Sequence, residues 1–330
     1  MPCDAGHLGK VDESMSELEQ YWKRVLDFPG IVRRPEDAKL DALVDAGGRV
    51  LVEQQTEFQR VLLLETPKGE TMLLLDGELQ FYSGDEHRYH EALVIVPFLF
   101  RQGPVRRVGV MGGGDGLVAR ELLRHFADEI ELVRIIDIDP AVTEMARTQP
   151  RLVELNEGSL LDERVEVINA DAASYCSADP FDLIVADLPD PTSPVLARLY
   201  NREFYEHLQA QLSPQEGVVG VQIVFVPPVF DGVLSTLRAV FPTVREYALC
   251  MYSFVRSGFA LCGQVPLERC RELPKGTRYL TPEVLDMLFY FAPDEPRVEV
   301  NEVSTNENAR VTEWYGSFLR DYVEERILYY

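Results

Sequence analysis

Apolar positions along this chain change rhythm several times. In "SMSELEQYWKRVLD" (14–27), Leu18, Tyr21, Trp22, Val25 and Leu26 recur at helical spacing behind Ser14 or Ser16 as a cap, which predicts a helix. Residues 48–81, "GRVLVEQQTEFQRVLLLETPKGETMLLLDGELQF", hold short apolar runs separated by "TPKGE" and "DGE". That pattern predicts hairpins in a small antiparallel sheet. "DEHRYHEALVIVPFLF" (85–100) returns to a helical period, with Tyr89, Leu93 and Val96 on one side.

From about residue 105, strand and helix alternate. "VRRVGVMG", "ELVRIIDID", "RVEVINAD", "FDLIVAD", "GVVGVQIVF" and finally "GFALCG" read as strands. "GLVARELLRHF", "AVTEMARTQ", "REFYEHLQAQL" and "FDGVLSTLRAVF" read as the helices among them. This order predicts an α/β fold, a Rossmann-like doubly wound, mostly parallel sheet preceded by a small N-terminal antiparallel β domain. "TPEVLDMLFYF" and "VTEWYGSFLRDYVEERILYY" add helices to the tail. The expected units are a helix plus β-hairpin domain over 1–100, a Rossmann-like domain over 101–265 and a helical extension over 266–330. No internal repeat or low-complexity segment interrupts them.

Composition narrows the class. A hydrophobic share of 46% and a charged share of 26% suit an ordinary globular protein. "ALVIVPFLF" (92–100) is about half the roughly 20 residues a bilayer-crossing helix needs, and it contains Pro97. "MPCDAGHLGKVDES" lacks a basic patch followed by an apolar segment, so no signal peptide is expected. Cys3, Cys176, Cys250, Cys262 and Cys270 form no C-x-x-C pair, which argues against a zinc site or a disulfide framework and for a cytoplasmic location. The net charge is −23, from 32 basic and 55 acidic residues. Such a surface repels nucleic acid and attracts cations, although solubility alone accounts for it equally well.

Where the acids fall is more informative. "VGVMGGGDGLVARELL" (108–123) places Gly112, Gly113, Gly114 and Gly116 between a strand and a helix, where backbone amides can approach a ligand. Asp115 inside that loop would oppose a pyrophosphate and suits a ligand with a cationic part. The next strand ends "RIIDIDP", with Asp137 and Asp139 both about 20 residues on, at the ribose-diol position. "INADAAS" supplies Asp171, and "FDLIVADLPDPTSP" supplies Asp187 with Asp190 behind it on a proline-stiffened loop. Four successive strands thus finish in an acid at the carboxyl edge, where open α/β sheets bind ligands. Together they describe a nucleoside site with a cation-attracting floor. Ser193 and Cys176 have no histidine near them in sequence and are set aside as nucleophiles.

Over residues 50–265 the chain resembles the polyamine aminopropyltransferases, the spermidine synthase family, and more narrowly a divergent bacterial-type branch. The resemblance rests on "EFQ" (57–59), "LLLDGELQFYSGDEHRYHEALVIVP" (73–97), "GGGDG" (112–116), "IDIDP" (136–140), "NADA" (169–172), "DLPDPTSP" (187–194) and "GVQ" (220–222), in this order. It implies transfer of the aminopropyl group of decarboxylated S-adenosylmethionine, as co-substrate, to an amine such as putrescine, with release of 5′-methylthioadenosine. It also implies a homodimer, with no metal and no prosthetic group. Carried over by motif, Gln59, Asp137, Asp171, Ala172 and Pro194 hold the methylthioadenosine part. His90 and Asp115 meet the aminopropyl or polyamine chain, Tyr89 lines the acceptor channel, Asp190 holds the amine, and Asp187 is the catalytic acid–base residue. Without the resemblance His90 reads as a capping or packing histidine, Tyr89 reads as a core aromatic at least as readily as a channel wall, and Gln59 reads as a strand surface residue as readily as a ligand contact.

Four departures bear on the acceptor. Leu117 stands where a further glycine is usual, and "DLPDP" replaces "DSSDP". "ALCMYSFVRSGFALCG" (248–263) lacks a proline–tyrosine–glycine element, leaving Tyr252 as its nearest counterpart. The tail from 266 lies outside the pattern. Two rival readings stay open on the sequence: an S-adenosylmethionine-dependent amine N-methyltransferase and a non-catalytic polyamine- or nucleoside-binding protein.

Overall fold

The computed structural model describes residues 44–214, 216–295 and 297–327, so the helix expected over 14–27 lies outside the described residues. The first sheet is β1 (Arg49–Gln55), β2 (Arg60–Glu65), β3 (Thr71–Leu75) and β4 (Glu78–Tyr82), antiparallel and in sequence order. β3 and β4 join through Asp76 and Gly77, whose φ values of 47° and 86° are the paired left-handed geometry of a tight hairpin turn. Leu63, Leu73 and Phe81 turn inward and share one apolar core with the helix that follows.

That helix, α1 (Glu86–Phe100), opens the larger unit. Next come β5 (Arg107–Gly112), α2 (Leu117–Phe126), β6 (Leu132–Asp137), α3 (Pro140–Thr148), α4 (Pro150–Leu155) and β7 (Val165–Asn169). β8 (Leu183–Asp187), α5 (Pro194–Ala197), α6 (Arg202–Ala210), β9 (Val218–Val224) and α7 (Val229–Val240) continue the alternation. The strands β10 (Thr243–Met251) and β11 (Val255–Gly263) precede the helices α8 (Pro282–Leu288) and α9 (Arg310–Ile327).

Seven strands form the main sheet in the order β10-β11-β9-β8-β5-β6-β7. β5 to β9 run parallel, and β10 and β11 form an antiparallel hairpin at one edge. The fold is therefore the Rossmann-like, mostly parallel sheet with a small N-terminal antiparallel one. Val108, Val110, Leu183, Ile184 and Val185 are all fully buried because helices cover both faces, which is why these strands read as unbroken apolar runs. The chain order reverses between β5 and β8, and a crevice opens at such a switch point.

Three features differ from the sequence reading. "GFALCG" is only the second half of β11, and its nine-residue partner β10 was not foreseen. α1, grouped by sequence with the N-terminal unit, packs on α2, β8 and β9. The segment after 266 is joined to the larger unit: Leu267, Leu280, Leu285 and Leu288 enter its core. Fully buried Glu91 of α1 accepts from the amides of Arg278, Tyr279 and Leu280 at 2.5, 2.9 and 2.8 Å. Among the described residues no helix is long and apolar enough to cross a membrane.

Candidate active site

The register of the central strands assembles the site. Gly112 pairs with Asp187 across β5 and β8, so the glycine loop and the "DLPDP" loop leave the sheet side by side. Gly112 has φ +82°, and a Cβ there would overlap the Asp187 carbonyl oxygen, so the close approach requires glycine. Above these ends lies a cavity of about 880 Å³, bounded by β3 and β4, the carboxyl edge of the main sheet, the β10–β11 hairpin and α9. Leu117 is fully buried at the start of α2, beneath the loop, and does not line the cavity.

Asp187 and Asp190 both face this cavity. The Tyr89 hydroxyl donates to Oδ1 of Asp187 at 2.7 Å. Burial and then the Asp187 charge hold the Tyr89 phenol well above its ordinary pKa, so it stays a donor. Asp190 Oδ1 accepts from Nε2 of Gln222 at 3.1 Å. Burial pushes the Asp190 carboxyl up to about 6; Gln222 works against this and the Glu78 charge adds to it. Buried Tyr200 donates to the Pro189 carbonyl at 2.8 Å and lies 3.2 Å from Oε1 of Gln222, fixing the loop from behind. Gln222, Tyr200 and Glu78 were not nominated from the sequence. The signal for Gln222 was the "GVQ" run, which ends at a cavity-facing position of β9.

On the other side of the glycine loop, Asp137 Oδ2 accepts from the Gly114 amide at 3.0 Å and Oδ1 from the Asp139 amide at 2.9 Å. A Cβ on Gly114 would overlap that carboxylate. Burial pushes Asp137 up to about 6, only partly offset by these amides. Asp139 is fully buried and does not line the cavity: it caps α3 through the Ala141 amide and accepts from Thr56 at 2.9 Å and Gln59 at 3.0 Å. Of the two acids left open by spacing, Asp137 is thus the one at the cavity. Gln59 stands in the β1–β2 turn rather than in a strand; it lines the cavity while tying the small sheet to the large one. Asp171 and Ala172 also line it, with Asp171 already held by the Ala173 amide at 3.0 Å and by Arg198 at 2.7 Å. Phe58 and Ile138 present apolar surface nearby.

Asp115 and His90 meet where the glycine loop passes α1. Asp115 Oδ1 accepts from the Leu117 amide at 2.9 Å. Burial pushes its carboxyl up to about 6, although the His90 charge opposes the shift. Nδ1 of buried His90 donates to Glu86 Oε2 at 2.8 Å. Burial disfavours its imidazolium, but Glu86 outweighs that and raises the pKa. Glu86 in turn takes a bidentate contact from Arg120 at 2.9 and 2.8 Å, and Arg120 also reaches Glu121 at 2.8 Å. Burial opposes the Glu86 charge, yet His90 and Arg120 hold the carboxyl down at about 2.

Two nominated residues fall outside the cavity. Pro194 is exposed at the start of α5; its neighbours Val195 and Leu196 line the cavity instead, and Ser193 is a helix cap bonded to the Leu196 amide. Tyr252 is 82% exposed. Its amide is bound to Asp85 at 2.8 Å, which turns the ring outward under the Arg88 guanidinium, 4.6 Å from the ring centre. Ser253 and Phe254, next in the same hairpin, line the cavity where Tyr252 was expected.

Sheet order, glycine loop and acid-tipped strands define a Rossmann-like α/β protein with an anionic cleft at its switch point. The model of the spermine/spermidine synthase domain matches residues 86–265, more than half of the chain. The chain is 37% identical over 286 residues to polyamine aminopropyltransferase 1 of Streptomyces coelicolor, covering 83% of this chain and 52% of that protein. It is 36% identical over 248 residues to the polyamine aminopropyltransferase of Oceanobacillus iheyensis, covering 73% and 48%. A crystal structure of spermidine synthase in complex with the transition state analogue AdoDATO superposes with a TM-score of 0.65 at 28% identity, over 74% of this chain and 86% of that one. Spermidine synthase from Thermotoga maritima gives 0.64 at 29%, over 74% and 85%. The chain belongs to the spermine/spermidine synthase family. It spans about half the length of the curated relatives it matches.

Proposed function

We propose that this protein transfers the aminopropyl group of decarboxylated S-adenosylmethionine to a di- or polyamine, putrescine first among them, and releases 5′-methylthioadenosine. The observation that carries this reading is the pair Asp187 and Asp190, both facing one cavity and bonded there to the neutral donors Tyr89 and Gln222. A sulfonium is a good leaving group, so the obstacle is the acceptor, an alkylammonium with a pKa of about 10. Asp187 removes its proton as the nitrogen lone pair attacks the methylene next to sulfur. A C–N bond forms, the C–S bond breaks, and its electron pair leaves on sulfur as a neutral thioether. The proton passes from Asp187 to water. Asp190 holds the amine in line, which lowers the entropic part of the barrier.

Asp137, Asp171 and Ala172, with Gln59 behind them, are suited to the nucleoside, and Asp115 with His90 to the aminopropyl ammonium. A methionine carboxylate at Asp115 would meet like charge, which disfavours S-adenosylmethionine as donor. A homodimer in the cytoplasm belongs to the same reading, and light scattering measures the dimer.

The test is product analysis with each donor against a panel of amines. Methylthioadenosine from the decarboxylated donor alone is expected. S-adenosylhomocysteine from S-adenosylmethionine would replace this reading with methyl transfer, and no product with any amine would leave only a binding role.

A further inference from the structure

The tail beyond 266 lies outside the matched domain, yet part of it reaches the cavity. α9 is seated on α7: Val311 and Trp314 are buried, and a Cβ on Gly232 would overlap the Trp314 indole, so α9 sits tight against that helix. One turn on, Phe318 lines the cavity. Glu78, at the start of β4, lines it as well.

The acids of the cavity also act on one another's charge. Asp187 acts on His90, Asp115 and Asp137. Glu78 instead acts on Asp190, and the Tyr315 phenol of α9 is raised first by burial and then by Asp190 and Glu78. Glu78 and Phe318 line the same cavity as Asp190, and both come from elements other than the glycine loop. A diamine whose near nitrogen is deprotonated at Asp187 keeps a charged far nitrogen, and burying that charge without a partner is costly.

We infer, on the aminopropyl reading above, that the Glu78 carboxylate receives the far ammonium of the acceptor while Phe318 covers its methylene chain, so that β4 and α9 together select acceptor length. A carboxylate and an aromatic face are groups an alkylammonium favours. Glu78 and Phe318 are thus specificity-determining positions contributed by opposite ends of the chain.

The test compares butylamine, 1,3-diaminopropane, putrescine, cadaverine and spermidine as acceptors for the wild type, Glu78→Gln and Phe318→Ala. The reacting end is common to all five, so ratios of kcat/KM read the far end alone. Glu78→Gln should lower the preference for putrescine over butylamine by about tenfold, the effect of one charge-assisted hydrogen bond. Phe318→Ala should move the optimum toward spermidine. Ratios unchanged in both variants overturn the inference while leaving aminopropyl transfer intact. Calorimetry with the same amines reads the far end without turnover. Weaker putrescine binding by Glu78→Gln, with butylamine binding unchanged, supports the inference even if the wild type releases no methylthioadenosine.

Discussion

Carboxylates beneath His90 and carboxylates facing the cavity are both withdrawn from water, yet they titrate in opposite directions. Glu86 and Glu121 are bonded to Arg120 and to histidines, and both are held below the ordinary range despite burial, Glu86 at about 2. Asp137 and Asp190 are hydrogen-bonded to amide donors, and Asp115, bonded to a backbone amide, has only the His90 charge against it; burial takes each to about 6. The difference lies in the partner, not in the acid. Below the floor every charge is neutralised by the fold itself. In the cavity no cationic side chain among the described residues is bonded to Asp115, Asp137 or Asp190, which is what the proposed cationic substrate requires.

The largest effect should come from removing Asp187, the proton acceptor of the proposed reaction. Asp187→Asn is expected to lose turnover by about 10²- to 10⁴-fold, as for other general bases, while still binding methylthioadenosine. Near-wild-type rates in stopped assays would remove Asp187 from its role. Breaking the neutralised set below should instead cost stability. Arg120→Met leaves buried Glu86 with His90 alone and Glu121 with Arg124 and His125, and urea titration should show a loss of about 3 kcal/mol. A loss within ~0.5 kcal/mol would show that the two sets of acids are not held differently.

Acid should weaken amine binding before it unfolds the protein. A carboxyl with a pKa of about 6 is the acid form below that value and the anion above it. Polyamine affinity, followed by thermal shift, should therefore be full at pH 7.5 and fall as pH drops through 6, by about tenfold per unit for each proton taken up. The sign for stability of the unliganded protein is opposite: these three acids bind more protons folded than unfolded between about 4 and 6, so they cost stability as pH rises through that window. Glu86, held low, gives stability above its unfolded pKa that is lost only as pH falls toward 2. The smallest effect is reserved for Gln222→Leu. Loss of one hydrogen bond to the Asp190 carboxylate, worth about 1.5 kcal/mol, should raise the acceptor KM by about tenfold with little change in the donor KM.

Much of the fold was legible because β5 and β8 are covered on both faces and read as apolar runs, β5 leading into the glycine loop and β8 ending in Asp187. The Asp76–Gly77 turn was legible because few residue pairs accept two positive φ angles. β10 was missed because it is an edge strand whose Arg245 and Glu246 break the apolar pattern; Glu246 is bonded to Arg238 and Arg297 on the surface. Tyr252 is expected at the cavity as the nearest counterpart of a proline–tyrosine–glycine element, but nothing local announces that Asp85, 167 residues away, grips the turn and points the ring outward. The same holds for Gln59, whose bond to Asp139 spans 80 residues, and for Phe318, which depends on how α9 seats on Gly232. Acids at strand ends follow from the strand pattern, whereas partners that set their charge come from tertiary contacts.

Proton counting on amine binding addresses the unneutralised cavity most directly. Putrescine is titrated calorimetrically into the protein at pH 6 and pH 8, in buffers of different ionisation enthalpy. The amine is itself almost fully protonated at both pH values, so any proton released comes from the protein. Release at pH 6 that vanishes at pH 8 is expected, because the cation lowers carboxyl pKa values of about 6. Binding with no release at pH 6 would contradict it, since the cavity acids would then already be anions with partners of their own.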